Sequence, residues 1–100
     1  MSAFRVSPEA EDQLDAIWLH VARESGSIDT ANRIVNRTDR FWLLARQPWI
    51  GRSRDDLAPA MRSFPAEEYV ILHRIEEDET VAILYVFHGS RDIEAFFERH

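Results

Sequence analysis

The sequence predicts an α+β fold: a strand, a helical hairpin, a three-stranded antiparallel meander and a short C-terminal tail. Three observations predict it. Apolar residues recur at helical spacing between Ala10 and Ala45. Residues 60–64, 69–75 and 81–87 are strand-length runs rich in Val, Ile, Tyr and Phe. The helical half precedes the strand half, and helices segregated from an antiparallel sheet make an α+β domain.

Each element has a local reason. Phe4 and Val6 alternate with polar neighbours, as in a short strand. Ser7-Pro8-Glu9 then reads as a helix start: Ser7 caps the backbone, Pro8 suits the first helical position, and Glu9, Glu11 and Asp12 sit in the first turn. Ala10, Leu14, Ile17, Trp18 and Val21 give this helix one apolar face. Gly26 ends it. A second helix is predicted from about Asp29, capped by that carboxylate and stopped by Pro48. Its apolar stripe includes Ile34, Val35, Phe41, Trp42, Leu44 and Ala45. Residues 49–59 read as loop. Both alternating sets are largely apolar in residues 69–75 and 81–87, so these are interior strands covered on both faces. The helical pair covers one face. The tail, carrying Ile93, Phe96 and Phe97, or a partner must cover the other. The acidic run Glu76-Glu77-Asp78-Glu79 joins the last two strands and must be solvated.

Composition narrows the function classes. The chain of 100 residues fits a single domain spanning residues 1–100, and 45% hydrophobic content is too apolar for a disordered chain. It has no cysteine, which removes disulfides and thiolate metal sites. No leader pattern and no apolar run of about 20 residues is visible, so the expectation is a soluble cytoplasmic protein without membrane contact. The net charge of −6 argues against direct binding of bare nucleic acid, which needs a clustered positive surface. Every basic residue apart from His is Arg. That removes lysine chemistry and suits bidentate contacts with carboxylates, although a lineage preference for Arg gives the same composition. The His residues lack metal-ligand spacing, and there is no phosphate-binding glycine loop or nucleophile elbow. No metal, cofactor or catalytic residue is therefore expected.

Several motifs carry a family resemblance. They are Val6-Ser7-Pro8-Glu9-Ala10 with Asp12, Leu14 and Ile17, and Pro48-Trp49-Ile50-Gly51-Arg52 with Arg54, Asp55 and Leu57. Arg62-Ser63-Phe64, Tyr69-Val70-Ile71, Ile83-Leu84-Tyr85-Val86 and His88-Gly89-Ser90-Arg91-Asp92 follow. In this order, over nearly the whole chain, they resemble the ParE branch of the RelE/ParE toxin superfamily. His73-Arg74 departs from the pattern, which often has an aromatic residue before the Arg. The resemblance implies the toxin of a type II toxin–antitoxin pair that inhibits DNA gyrase by binding it. A ParD-type antitoxin, with a ribbon-helix-helix part and a wrapping tail, would hold it inactive in a hetero-oligomer. Two other readings stay open: a ribosome-dependent mRNA endonuclease of the RelE branch, and an inactive toxin-like protein that only binds its antitoxin.

The candidate partner-binding residues are Trp49, Arg52, Arg54, Arg62, Arg74, His88, Arg91, Phe96 and Phe97. Arg62 and Arg74 lie in strands. They either pair with Glu67, Glu68 or the acidic turn, or receive antitoxin carboxylates. His88 caps a strand end or meets a partner, and Arg91-Asp92 reads equally as a local pair. Phe96 and Phe97 form a structural flap or a contact surface. Trp18 and Trp42 fall on apolar stripes and are expected buried, while Trp49 is the candidate for exposure. RNA cleavage would need a base, an acid and cations at one phosphate. Arg62, Arg74, Arg91, Tyr85 and His88 could supply them only if the fold gathers them.

Overall fold

The computed structural model describes residues 3–35, 37–66 and 68–99, with the side chains of residues 37–39, 90–92 and 99 left aside. In chain order the elements are β1 (Phe4–Val6), α1 (Pro8–Ser25), α2 (Ile28–Ile34), α3 (Arg37–Arg46), β2 (Arg52–Ser53), β3 (Arg62–Ala66), β4 (Tyr69–Ile75), β5 (Val81–His88) and α4 (Ser90–Arg99). The five strands form one sheet in the order β1-β5-β4-β3-β2. The last three long strands make the antiparallel meander, and β1 joins β5 in parallel. The interior strands expected from sequence, β4 and β5, are the central ones.

Ser7 does more than cap α1. Its hydroxyl accepts from the Ala10 amide at 3.0 Å and donates to the Leu84 carbonyl at 2.7 Å. One side chain thereby fixes the helix start and its position against β5. Leu84 is also where the ladder slips: Leu72 faces Tyr85 and His73 faces Ile83, leaving Leu84 as the extra residue of a bulge. Leu84 and Tyr85 both join the cluster on the sheet face away from α1. Gly26, at φ +66°, closes α1 with its amide on the Ala22 carbonyl.

The second half of the helical hairpin differs from the sequence reading. It is two helices, not one, and its cap is Ser27, whose hydroxyl accepts from Thr30 at 3.1 Å. Asp29 instead lies in the first turn. The division lets each piece meet a different surface: α2 packs on α1, and α3 on β1 and β5. Arg40 reaches back to the Ile34 carbonyl at 2.6 Å and satisfies an acceptor at the end of α2. Trp42 also departs from expectation. It is 44% exposed and meets Phe4 edge-on, ring centroids 5.0 Å apart, at the rim of the sheet. Trp18 is half-buried and donates to Asn32 at 2.8 Å, joining α1 to α2.

Two apolar clusters lie on the two sheet faces. The first packs Leu14, Phe41 and Leu44 against Ile71, Ile83 and Val86. The second packs Ile93 of α4 against Met61, Leu72 and Phe87. Burying a side chain of this size stabilises a fold by about 1.5–3 kcal/mol. The tail is thus a helix that covers the second face, where it brings Phe96 and Phe97 within 5.1 and 5.7 Å of the Tyr85 ring. That face is not sealed: Val70, Leu84 and Tyr85 stay half-buried.

Candidate protein-binding surface

Residues 47–52 leave α3 and cross to the far edge of the sheet. Here the sequence reading anticipated loop and missed β2, whose two residues pair Arg52 with Ser63 and Ser53 with Arg62. Gly51 allows that approach. A Cβ there would run into the Ser63 carbonyl and stand 3.2 Å from the His73 ring. Arg62, on β3, lies beneath the loop and donates to the carbonyls of Trp49 and Gly51. Its guanidinium also stacks under the Trp49 ring at 5.0 Å. His73, on β4 and fully buried, makes the third tie at 3.2 Å to the Pro48 carbonyl. A carbonyl only accepts, so Nε2 carries the proton and the neutral ring leaves buried Nδ1 without a partner. Burial lowers the His73 pKa below its ordinary 6.5; the Pro48 carbonyl pulls it up and the Arg62 charge pushes it down again. Above these ties Trp49 is 70% exposed, with Ile50 beside it at 43%.

The other candidate residues are spread over the molecule. Arg52 is exposed on the edge strand, paired with Ser63 and so on the opposite sheet face from Arg62. Arg54 forms a two-pronged pair with Asp56, both bonds 3.0 Å, which raises the Arg54 pKa and lowers that of Asp56. Arg54 therefore staples the loop that Asp55 closes through the Ala60 amide at 2.9 Å. Arg74 lies on the second sheet face, half-buried, its Nε shielded from solvent and unpartnered. It shares a depression with Ser7, Glu9, Tyr85 and Phe97, and borders another beside the acidic turn. Arg5, not Arg74, pairs with Glu76. The possible pairing with Glu67 lies outside the described residues. His88 is exposed at the opposite end of the meander, 3.5 Å from Glu68 and beside Tyr69. The Arg91 side chain lies outside the described ones. Trp49 and Arg62 are thus brought together, Arg52 projects to the other sheet face, Arg74 and Phe97 share a second locality, and His88 stands apart.

Sequence reading missed Gly51, Ser63 and His73 as supports of the loop. Only Gly51, set among bulky residues, left a signal of close packing. Among the described residues no group of three or more His, Asp or Glu is placed to hold a metal, and no helix is long and apolar enough to cross a membrane.

Comparison with known proteins gives this surface a context. Residues 4–93 match the family model described as the ParE toxin of the type II toxin–antitoxin system parDE. Toxin ParE3 of Caulobacter vibrioides is 32% identical over 92 residues, which span 91% of this chain and 89% of that protein. Toxin ParE1 of Mycobacterium tuberculosis is 26% identical over 93% of this chain and 95% of its own length. Among solved structures, a chain of the chromosomal ParDE system from P. aeruginosa superposes with a TM-score of 0.75 at 20% identity, over 90% of this chain and 98% of that one. A chain of the toxin–antitoxin complex RelBE2 from M. tuberculosis superposes at 0.61 with 26% identity, over 87% and 96%. The sheet order and helical hairpin are those of the RelE/ParE toxin fold, and the chain belongs to the ParE toxin family of type II toxin–antitoxin systems.

Proposed function

We propose that the chain arrests growth by binding DNA gyrase, without catalysis of its own, and that a ParD-type antitoxin neutralises it in a cytoplasmic hetero-oligomer. The observation that carries the non-catalytic part is the separation of His88 from Arg74. Arg74 faces Ala82 across the ladder, six residues along β5 from His88. At about 3.3 Å per residue that is roughly 20 Å, too far for an acid–base group and a cation to serve one phosphate. Arg54 and Arg62 are further occupied by Asp56 and by loop carbonyls. Family membership supports the gyrase reading. The structural relatives, a ParDE system and a toxin–antitoxin complex, support an antitoxin partner.

The antitoxin tail folds on contact in this reading. Its apolar side chains meet the exposed Leu19, Ile28 and Trp42 on the helical side, and its carboxylates meet Arg74. The deciding experiment adds the purified chain to gyrase with relaxed plasmid, and separately to translating ribosomes. Gyrase-dependent DNA breakage or loss of supercoiling is expected. Cleavage of mRNA with gyrase unaffected would establish the RelE-type endonuclease instead. Growth arrest on expression disposes of the inactive reading.

A further inference from the structure

We propose that Arg74 reads a single carboxylate on an extended segment of the antitoxin, in a groove across the second sheet face. Two positions from that acid the segment carries an apolar residue toward α4 and an uncharged or basic residue toward the acidic turn. The proposal rests on the antitoxin reading and adds the site on this chain and the residue pattern it selects.

Strand register builds the groove. Arg5 of β1 and Arg74 of β4 both pair with Ala82 of β5. With strands about 4.8 Å apart, the two Arg stand roughly 10 Å from each other, and the residue between them carries only a methyl group. Two depressions meet here and share Arg74 and Leu84. One is walled by the acidic turn, the other by Met61, Tyr85 and Phe97, with Ser7 and Glu9 beside them. The bulge shapes the shared floor. Strict alternation would turn Leu84 or Tyr85 away, yet both lie on this face, and Ser7 holds the Leu84 carbonyl at 2.7 Å.

Arg74 is half-buried at the centre of this groove, and its Nε is shielded from water with no acceptor. It makes no ion pair among the described residues, although acids surround it. Glu76 pairs with Arg5 instead, and Asp78 accepts from the Thr80 amide at 3.1 Å. A shielded donor without an acceptor costs free energy, which a bound carboxylate would offset. A guanidinium can receive that carboxylate through two parallel bonds.

The charges around Arg74 decide the occupant. An extended chain places side chains on one face about every 7 Å, so the residues two positions either side of the contact acid fall over the two depressions. Each depression holds an acid with no ion pair among the described residues, Glu9 in one and Glu77 in the other. A second carboxylate on the segment would be repelled at either end. A nucleic acid strand, charged about every 3.4 Å, would set phosphates against both acids. A peptide with one acid between uncharged or basic neighbours avoids both clashes.

The test measures, by titration calorimetry, the affinity of the full chain for the purified antitoxin encoded beside it. The acids of the antitoxin tail are changed singly to amides, against the unsubstituted chain and against Arg74→Gln. Arg74→Gln should weaken the complex at least about tenfold. Its thermal midpoint should hold or rise, because no contact within the fold is lost. One tail acid should cost the unsubstituted chain the same factor and cost Arg74→Gln nothing. A new acid two positions from it should weaken binding at least about threefold, and Glu9→Gln or Glu77→Gln should restore it. Should Arg74→Gln misfold, the tail series on the unsubstituted chain decides, since a groove reading one carboxylate requires one dominant acid. Unchanged affinity in folded Arg74→Gln, or a loss shared evenly among several acids, overturns the groove and leaves the antitoxin reading standing. No complex with the unsubstituted chain overturns both. Binding of a plain RNA oligonucleotide that Arg74→Gln abolishes overturns the proposal in favour of a phosphate site.

Discussion

The guanidinium of Arg62 stands 5.0 Å from the centroid of the Trp49 ring and donates at 3.0 Å to the carbonyl of the same residue. One side chain therefore sets both the backbone and the ring of Trp49. Arg does this because its planar fork can stack and donate at once, which an ammonium cannot. Arg62→Ala is predicted to destabilise the fold by about 1–3 kcal/mol, through lost hydrogen bonds to exposed and half-buried carbonyls. Arg62→Lys should recover less than half of that. Urea unfolding of the two variants checks it, and full recovery by Lys would show that charge alone matters.

Gly51→Ala tests the approach of the loop to β3. The added methyl meets backbone at Ser63, which cannot rotate away as a side-chain end could. Overpacking of this kind costs about 1–3 kcal/mol, and here the loop must also lift from β3. Loss of protection at the β2–β3 amides in hydrogen exchange, with the β4–β5 ladder unaffected, is the expected signature.

His73 gives the fold an acid-sensitive support. Its folded pKa lies below the ordinary 6.5 because the ring is buried, so the unfolded chain binds the proton more readily. Its contribution is complete above 6.5 and is lost as pH falls from there toward the lowered folded value. Asp56 and Asp78 are also lowered, from 3.8, so their contributions persist until more acidic pH. A His73→Gln variant keeps a donor for the Pro48 carbonyl and removes the titration. The stability of the unsubstituted chain should fall as pH drops below 6.5, and that of the variant should change less over the same range. Parallel slopes would place the acid sensitivity elsewhere.

The legible parts of the fold were those written in local chemistry. Ser7-Pro8 and Gly26 bound α1 as their capping physics demands, and the double-sided apolarity of residues 69–75 and 81–87 marks the two central strands. The break between α2 and α3 was not legible, because the polar run of residues 36–40 between Val35 and Phe41 also fits the solvent-facing side of one continuous helix. Which surface each piece meets is a tertiary matter. The site divides in the same way. The exposure of Trp49 could be read from its neighbourhood, whereas His73 reaches Pro48 across 25 positions of sequence. Arg62, read as free to meet a partner or an acid, has its guanidinium on loop carbonyls for the same reason.

The last prediction separates binding from catalysis: His88→Ala should leave growth arrest intact. His88 is exposed, and its only described ion-pair partner, Glu68, lies 3.5 Å away on an equally exposed turn. A surface pair of this kind contributes about 0–1 kcal/mol, so the variant should fold. A histidine used as acid or base would lower the rate by about 100-fold or more when removed, whereas a binding inhibitor loses one contact. Truncation before Ile93 is expected to abolish arrest, but for a structural reason. Ile93 is fully buried against Leu72 and Phe87, and losing it should cost about 2–5 kcal/mol in a small fold. A milder variant, Phe97→Ala, removes a half-buried ring while Ile93 stays in place. If Phe97→Ala folds and still arrests growth, α4 acts as a cover for the sheet. If it folds and arrest is lost, α4 itself touches the target. Loss of arrest in folded His88→Ala would instead reinstate the endonuclease reading and send the search for its substrate back to RNA.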